Sequence, residues 1–367
     1  MFMRFLSLFF YSGLVFAASS PTFPVLSYST YLRDNFTPAG IATDAAGNIY
    51  MAGSAIVDQT TSQTTVLVVK LNPQATQYLY VRYFGGSVNE TASAIAVDSA
   101  GNAYVAGVTI SADFPVTSGG HLATPPVPGM TERSFVFKLD TNGQVVFSDL
   151  LGGSANSFPE AVAVNTAGQV LVSGVSPDSN FPSTPGVFSV ANTAFRPFLL
   201  ELDPTGSKIV FSATGIGGSS LAFDSAGNIY VSGTTSFLDY PTTPGTYQPT
   251  FPAFLTCVAP CHGMFQGPNQ YVTKLDPSGS KMIFSTAVSG TGNTVNTGLA
   301  VDAAGNVYLT GLAGAGYPYT VTPPAAPLGP ALSTLTTPAV PFLSKLDPAG
   351  QKLLFSVPVG GEGVQVD

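Results

Sequence analysis

The sequence has no tryptophan, only two cysteines and two histidines, and few charges, since 9% of its 367 residues are Asp, Glu, Lys or Arg. Its 12 basic residues are scattered and its net charge is −8, so the clustered basic surface typical of nucleic-acid binding is missing. No window keeps a 3.6-residue apolar period, which argues against helices. We therefore predict an all-β protein that does not bind nucleic acid.

Signatures of catalysis and of cofactor binding are also missing from the sequence. The two histidines, His121 and His262, lie far apart, and no Gly-x-Ser-x-Gly nucleophile motif accompanies them. The chain has no phosphate-binding loop, no dinucleotide fingerprint and no Asp-x-Asp-x-Asp calcium loop. We therefore predict no cofactor and no metal site, and we assign no catalytic residue.

One mostly apolar run stands at the N-terminus, over residues 5–16, between Arg4 and the small residues that begin at Ala17. This pattern is typical of a secretory signal peptide, and the run is short for a membrane-spanning helix. We predict a signal peptide over residues 1–17 and a short linker over 18–24. The protein is then secreted, periplasmic or on the cell surface, with no membrane span after cleavage.

In contrast, glycine and proline are abundant, with 39 and 30 residues, and one turn recurs. Asp98-Ser99-Ala100-Gly101-Asn102 lies between the apolar stretches Ala94–Val97 and Ala103–Gly107, which predicts a β-hairpin. Five copies make this a repeat protein. The copies begin at Asp44, Asp98, Asn165, Asp224 and Asp302, and their glycines are Gly47, Gly101, Gly168, Gly227 and Gly305.

A second turn, Leu-Asp-Pro-x-Gly in its commonest form, recurs between the copies of the first. Asp at the first position and Gly at the fourth are typical of a type I turn closed by a left-handed residue. We expect the Asp carboxylate of both turns to bond backbone amides of its own turn, a structural role. The second turn's residues are Asp140 and Gly143, Asp203 and Gly206, Asp276 and Gly279, and Asp347 and Gly350, with a degenerate copy at Leu71–Gln74.

Two hairpins per repeat give four antiparallel strands, A to D, and radially stacked four-stranded units form a β-propeller. We predict a propeller over residues 25–367, with five complete blades and partial strands at both ends. Val25–Leu32 resembles a spare strand D, and residues 360–367 resemble the start of another repeat. We expect the chain to be a fragment of a ring of six or seven blades, with further domains after Asp367.

The connections between strands B and C are long and unlike one another, which predicts that variation gathers on one face of the propeller. Loops on a rigid scaffold are common binding sites. These connections span Ser54–Thr65, Thr109–Arg133, Ser176–Ala194, Thr234–Gln270 and Ala313–Pro341. A Phe-Pro or Tyr-Pro step recurs in them, and the candidate binding residues at or near it are Asp113, Phe114, Asp178, Phe181, Asp239 and Tyr240. We favour the interpretation that this step anchors the loop, with the Phe or Tyr packed on the rim and Pro fixing the bend, because a repeated motif usually serves a repeated structural need; the alternative is that the loop acids bind a ligand or cation.

Both cysteines fall in one B–C connection, as Cys257-Val258-Ala259-Pro260-Cys261-His262. In an exported protein, two cysteines this close predict a disulfide that pins the loop. Covalent haem attachment uses Cys-x-x-Cys-His, which is one residue shorter. Zinc needs more nitrogen or sulfur ligands than His262 and the distant His121 supply.

Taken together, the Tyr-x-x-Gly-Gly-Ser tract, both turns, the Asp-Phe-Pro-x-Thr step and their order resemble the bacterial seven-bladed β-propeller (SBBP) repeat. The tract stands at Tyr83–Asp140 and again at Ala222–Gly279. The turns also resemble those of NHL-type propeller repeats. The resemblance implies secreted or envelope proteins and no established catalytic residues.

We interpret the protein as a non-catalytic interaction scaffold that binds an extracellular protein or polysaccharide through the face bearing the B–C loops. The alternative is an enzyme acting on extracellular polysaccharide, a hydrolase or lyase, with the loop carboxylates of Asp113, Glu132, Asp178 or Asp239 as acid and base. A third interpretation is an architectural spacer in a large envelope protein.

Overall fold

The computed structural model describes residues 35–117, 132–153, 155–177, 180–190, 196–236, 240–252, 268–321 and 340–359. These residues form twenty β-strands and no helix. Within these ranges there is accordingly no helix long and apolar enough to cross a membrane. The predicted signal peptide, linker, partial strands and disulfide lie outside the described residues, as do Asp178 and Asp239.

The strands form five four-stranded antiparallel sheets, each a meander in chain order. The first two sheets are β1 (Phe36–Thr43), β2 (Ile49–Asp58), β3 (Gln63–Leu71), β4 (Tyr78–Phe84), then β5 (Glu90–Val97), β6 (Ala103–Thr109), β7 (Arg133–Leu139), β8 (Val145–Leu151). The others are β9 (Phe158–Val164), β10 (Val170–Ser176), β11 (Arg196–Leu202), β12 (Ile209–Thr214), β13 (Ser220–Phe223), β14 (Ile229–Thr235), β15 (Asn269–Leu275), β16 (Met282–Ala287), β17 (Thr294–Val301), β18 (Val307–Ala313), β19 (Val340–Leu346) and β20 (Leu353–Pro358).

Neighbouring sheets contact one another through their first strands, in the order β1, β5, β9, β13 and β17. Each sheet is therefore a blade, with strand A on the inside and strand D on the outside. The prediction of an all-β propeller with five complete four-stranded blades is confirmed. The middle strands are buried along almost their whole length because other blades cover their faces, which explains their continuous apolar runs.

One loop prediction is wrong. The sequence analysis assigned a long B–C connection to Ser54–Thr65, but β2 continues to Asp58 and β3 begins at Gln63. Asp58 closes the short loop by accepting bonds from the Thr60 amide at 2.8 Å and the Thr61 hydroxyl at 2.9 Å. The β-branched residues on both sides favour strand and extend the hairpin. The first blade thus lacks a long loop.

The blades interlock through the glycine of each Leu-Asp-Pro-x-Gly turn, which lies against an aromatic ring of the preceding blade's strand D. A Cβ on Gly206 would lie 2.5 Å from the Phe147 ring, and Gly206 has φ +70°. Glycine is needed there both for the left-handed backbone and for the space. The same contact joins Gly143 to Tyr80, Gly279 to Phe211 and Gly350 to Phe284.

We predict that Gly206→Ala destabilises the protein more than Gly186→Ala does. Gly186 has φ +84° but nothing within 4 Å of its missing Cβ. Its replacement tests the backbone cost alone, about 1 kcal/mol. Gly206→Ala adds overpacking against Phe147, roughly a further 1–3 kcal/mol. Chemical denaturation of both variants measures the difference, and equal losses would show that the ring does not interlock the blades.

Candidate binding face

The A–B and C–D turns emerge on one face of the propeller, here the turn face. The B–C and D–A connections emerge on the opposite face, here the loop face. The turn face is almost the same in blades 1, 2, 4 and 5 and differs in blade 3, whereas the loop face differs between all blades. The two faces therefore have different chemistry.

On the turn face, each aspartate of the A–B turn holds its own turn together. Oδ1 of Asp44 accepts the amides of Ala46 at 3.0 Å and Asn48 at 2.9 Å. Oδ2 accepts the Asn48 side-chain amide at 2.8 Å and the Tyr50 hydroxyl at 3.0 Å. Burial raises the pKa of Asp44, but these bonds outweigh it and leave the pKa below its ordinary value. The carboxylates of Asp98, Asp224 and Asp302 make the same four contacts.

A lysine from strand C completes this arrangement. Lys274 Nζ lies 3.1 Å from Asp224 Oδ2 and 4.7 Å from the centre of the Tyr230 ring, so it makes both an ion pair and a cation–π contact. We call the Asp and Asn of the A–B turn, the Tyr two residues after that Asn, and this Lys the turn network. In blade 4 its members are Asp224, Asn228, Tyr230 and Lys274. The cation–π contact recurs in blade 1 with Lys70, in blade 2 with Lys138 and in blade 5 with Lys345. The ion pair recurs with Lys70 at 3.9 Å and with Lys345 at 3.3 Å.

The C–D turns hold their aspartates in a similar way. Oδ1 of Asp140 accepts the amides of Asn142 at 2.9 Å and Gln144 at 2.7 Å. The carboxylates of Asp203, Asp276 and Asp347 likewise accept amides of their own turns. The turn carboxylates are thus occupied by their own backbone, and they offer little to a ligand.

Blade 3 departs from the turn network at all four positions, with Asn165, Gln169, Leu171 and Glu201 in place of Asp, Asn, Tyr and Lys. Asn165 Nδ2 donates to Gln169 Oε1 at 2.8 Å and to Glu201 Oε1 at 3.3 Å. Glu201 is 1% exposed, and none of the described residues bonds its Oε2. Burial raises the pKa of Glu201 to about 7. The sequence analysis noted Asn165 but missed Glu201, whose signal was Glu in place of Lys before Leu-Asp-Pro.

A cavity of about 450 Å³ opens on the turn face between blades 2, 3 and 4. Strand A residues such as Val97, Val162 and Phe223 line it, together with the turn residues Asn165 and Asp224. Both polar groups are held within their own turns. The cavity is therefore lined by apolar side chains and hydroxyl groups. None of the residues that line it offers a free charged group.

On the loop face, the aromatic-proline step folds back over its own blade. The Phe114 ring stacks on Phe135 of strand C with 4.8 Å between centroids, and Phe181 stacks on Phe198 at 4.4 Å. Tyr240 stacks on Tyr271. In blade 5, Tyr317 packs on Phe342 in the same place.

A threonine three residues after the aromatic ring then pairs with strand D. The Thr117 amide donates to the Ser148 carbonyl at 2.9 Å, and the Ser148 amide donates to Thr117 Oγ1 at 3.2 Å. Ser148 Oγ also donates to the Pro115 carbonyl at 2.7 Å. We call this segment and its serine the clasp. It recurs with Thr184 and Ser212, Thr243 and Ser285, and Thr320 and Ser356.

These contacts place three of the candidate binding residues inside the protein. Phe114 and Phe181 are 4% exposed and Tyr240 is 8% exposed, so they serve as loop anchors rather than as surface contacts. Asp113 is exposed, and its Oδ1 accepts the Ser87 amide at 2.9 Å and the Ser87 hydroxyl at 3.0 Å. These bonds lower the pKa of Asp113.

The sequence analysis also missed a buried glutamate on the loop face. Glu90, at the start of β5, is fully buried, and its Oε1 accepts the hydroxyls of Thr109 at 2.9 Å and Ser111 at 2.5 Å. The Arg133 guanidinium donates to the Ser111 carbonyl, and burial lowers its pKa. No sequence pattern marks Glu90, because its partners come from a different strand. In the described ranges, no three His, Cys, Asp or Glu side chains gather as metal ligands would.

Comparison with known protein families identifies the type of repeat. The family model of the SBBP β-propeller repeat matches residues 79–115 and 209–241. These two segments cover parts of blades 1 and 2 and of blades 3 and 4. The chain therefore carries SBBP-type β-propeller repeats. A search of curated proteins finds no match.

Three solved structures with a similar course of the chain are distant from it in sequence. The acylaminoacyl peptidase of Pyrococcus horikoshii is 12% identical, with a TM-score of 0.37, and the match covers 76% of this chain but only 36% of that one. The β-propeller domain of the Trilobed protease from Pyrococcus furiosus is 8% identical, covering 89% and 72%, with a TM-score of 0.41. A protein of unknown function from Dyadobacter fermentans is 10% identical, covering 90% and 85%, with a TM-score of 0.45. None of these likenesses bears on activity.

We predict that Glu201→Gln changes how stability depends on pH. Because the folded-state pKa of about 7 lies above the ordinary 4.5, the unfolded chain loses this proton first as pH rises. Wild-type stability therefore falls between pH 4.5 and 7 relative to the variant. By pH 8 the relative loss reaches about 3 kcal/mol. Denaturant midpoints at pH 4.5 and 8 measure it, and a difference independent of pH would contradict the assignment.

Proposed function

We propose that this SBBP-type repeat chain is an exported, non-catalytic scaffold that binds a protein or polysaccharide through its loop face. The observation that carries the proposal is the clasp. In blades 2 to 5 every B–C connection begins with the same buried anchor, and a segment of different length and sequence follows it. Constant anchors with variable segments are typical of binding loops on a rigid scaffold. In blades 3 and 4 the constant part continues to Phe188 and Tyr247, whose amides donate to the turn glycines Gly279 and Gly350 at 2.8 Å. The variable segments are therefore 118–132, 189–195, 248–268 and 321–339.

The turn face is less suited to selective binding, which also favours the loop face as the binding site. Its aspartates are held by their own turns, and its sequence repeats from blade to blade. A ligand there would meet nearly the same surface at four of the five blades. Selective recognition therefore belongs on the loop face. The N-terminal signal-like segment supports export.

The enzyme alternative has weaker support. A general acid must hold its proton near the working pH. The Ser87 bonds that lower the pKa of Asp113 favour its ionised form and oppose that role. The buried Glu90 carboxylate already accepts two hydroxyls. These contacts favour a positioning role over acid–base chemistry at this part of the loop face.

Loop replacement tests the proposal. The chain from residue 18 is applied to immobilised neutral and acidic polysaccharides and to purified envelope proteins. In one variant, residues 118–131 become a Gly-Ser segment of equal length with Phe114–Thr117 retained, and the other three variable segments are replaced in turn. Thr141→Ala on the turn face is the control. We expect at least one replacement to weaken binding tenfold or more while the control binds like wild type.

Two results would contradict the proposal. Binding that survives all four replacements but falls in the turn-face control would move the site to the turn face. Release of reducing ends from a polysaccharide that stops in Asp113→Asn or Glu132→Gln would assign an enzyme instead.

A further inference from the structure

Among the residues that the structure describes, positive charge on the loop face is confined to the first residue of strand C in two blades. The strand C lysines and the exposed lysines of the C–D turns all lie at the turn face. The Arg82 guanidinium donates to the carbonyl of the turn glycine Gly143. Arg133 begins β7 in blade 2 and Arg196 begins β11 in blade 3, each directly after a variable segment. Of the described basic residues, these two are therefore the ones placed to meet a ligand of the loop face.

Arg133 makes one hydrogen bond with the described part of the chain, in which its Nη2 donates to the Ser111 carbonyl. No described carboxylate makes an ion pair with it, since the three ion pairs in the described ranges all belong to the turn network. Glu90 instead accepts two hydroxyls through its Oε1. The Oε2 of Glu132 accepts the Asn156 side-chain amide at 3.4 Å. The other N–H groups of the guanidinium thus have no acidic partner among these residues.

The surroundings of Arg133 suit an anion from outside the chain. Its side chain is half-buried, and burial alone accounts for the lowering of its pKa. Charged side chains that leave water are usually paired with an opposite charge, because their desolvation is costly. The variable segment that leads into Arg133 contains no Asp or Glu from residue 118 to residue 131. A ligand with an acidic group would therefore supply a partner that neither the described residues nor this segment provides.

We propose that Arg133 binds a carboxylate group of an acidic polysaccharide. A guanidinium binds a carboxylate through two parallel hydrogen bonds, which makes arginine well suited to this group. Arg196 holds the same register position in blade 3, since it pairs with Ser176 as Arg133 pairs with Thr109. Two equivalent positions on neighbouring blades suit a polymer that repeats its carboxylates along its length. The inference rests on the proposed function and names the chemistry of the ligand.

Binding to acidic polymers with free and with esterified carboxylates tests the inference. The chain from residue 18 is applied to immobilised polygalacturonate, alginate and hyaluronate, and to the methyl ester of each. Polyglutamate is the probe for an acidic protein segment. Arg133→Gln removes the charge, whereas Arg133→Lys keeps it but loses the planar fork. The matched control is Lys208→Gln, which removes one exposed positive charge from the turn face.

We expect at least one acidic polysaccharide to bind and its methyl ester to bind about tenfold more weakly or worse. Arg133→Gln reduces the affinity for the free acid by about the same factor, because it removes a charge-assisted hydrogen bond. Arg133→Lys reduces it less, and Lys208→Gln leaves it unchanged. Since the net charge of the chain is −8, acidic polymers are not attracted to it non-specifically.

Equal binding of the free acids and their esters overturns the inference. So does an Arg133→Gln variant that is folded by circular dichroism and binds like wild type. Binding to polyglutamate alone assigns an acidic protein as the ligand, and binding to none of these probes removes the site; either result also overturns the inference. The proposed function fails separately, because the loop replacements keep Arg133 and are tested on neutral polysaccharides and envelope proteins as well.

Discussion

The carboxylate of the A–B turn is the group on which the rest of the structure depends. It fixes the turn by accepting backbone amides, and it holds the tyrosine and lysine that face the next blade. In blade 1 the Tyr50 hydroxyl also donates to the Gly101 carbonyl of blade 2, at 2.9 Å. The residues that fix the local turn thereby also form a contact that positions one blade relative to the next. With the glycine–aromatic contacts beside it, this arrangement makes the turn face nearly the same in blades 1, 2, 4 and 5 and leaves the loop face free to vary.

Departures from the repeat mark the places where the chain has individual properties. Blade 3 has a buried Glu201 in place of the ion-paired lysine, and the raised pKa of this carboxyl makes stability depend on pH. Blade 1 replaces the clasp by a tight hairpin, and its strand D has Val81 at the position of the clasp serine. The clasps of the other blades hold the start of each long loop close to the outer strand. Anchored loops on a stiff disc need not order their first residues on binding, which reduces the entropy cost of recognition.

The sequence predicted what depends on residues close together in the chain. Both turns, the hairpins and the five-blade count rest on contacts within about four residues, such as Asp98 with Asn102. Contacts between distant residues were missed. Neither the Thr117–Ser148 pair nor the burial of Glu90 has a local pattern, because their partners come from other strands. Ser54–Thr65 was assigned as loop because its polar residues hid a continuing hairpin. The aromatic-proline step was recognised, but only the structure shows that its rings are buried.

The most direct test of the central role of the turn network is a double-mutant cycle in blade 3. Asn165→Asp alone puts a second carboxylate beside Glu201, and Glu201→Lys alone buries an ammonium with no acidic partner. Together they rebuild the pair that Lys274 and Asp224 make at 3.1 Å. We predict that both single variants lose stability at pH 8 and that the double variant recovers it, with a coupling energy of about 2 kcal/mol. Additive losses would show that the turn carboxylate and the strand C lysine do not act as a unit, and would contradict the account.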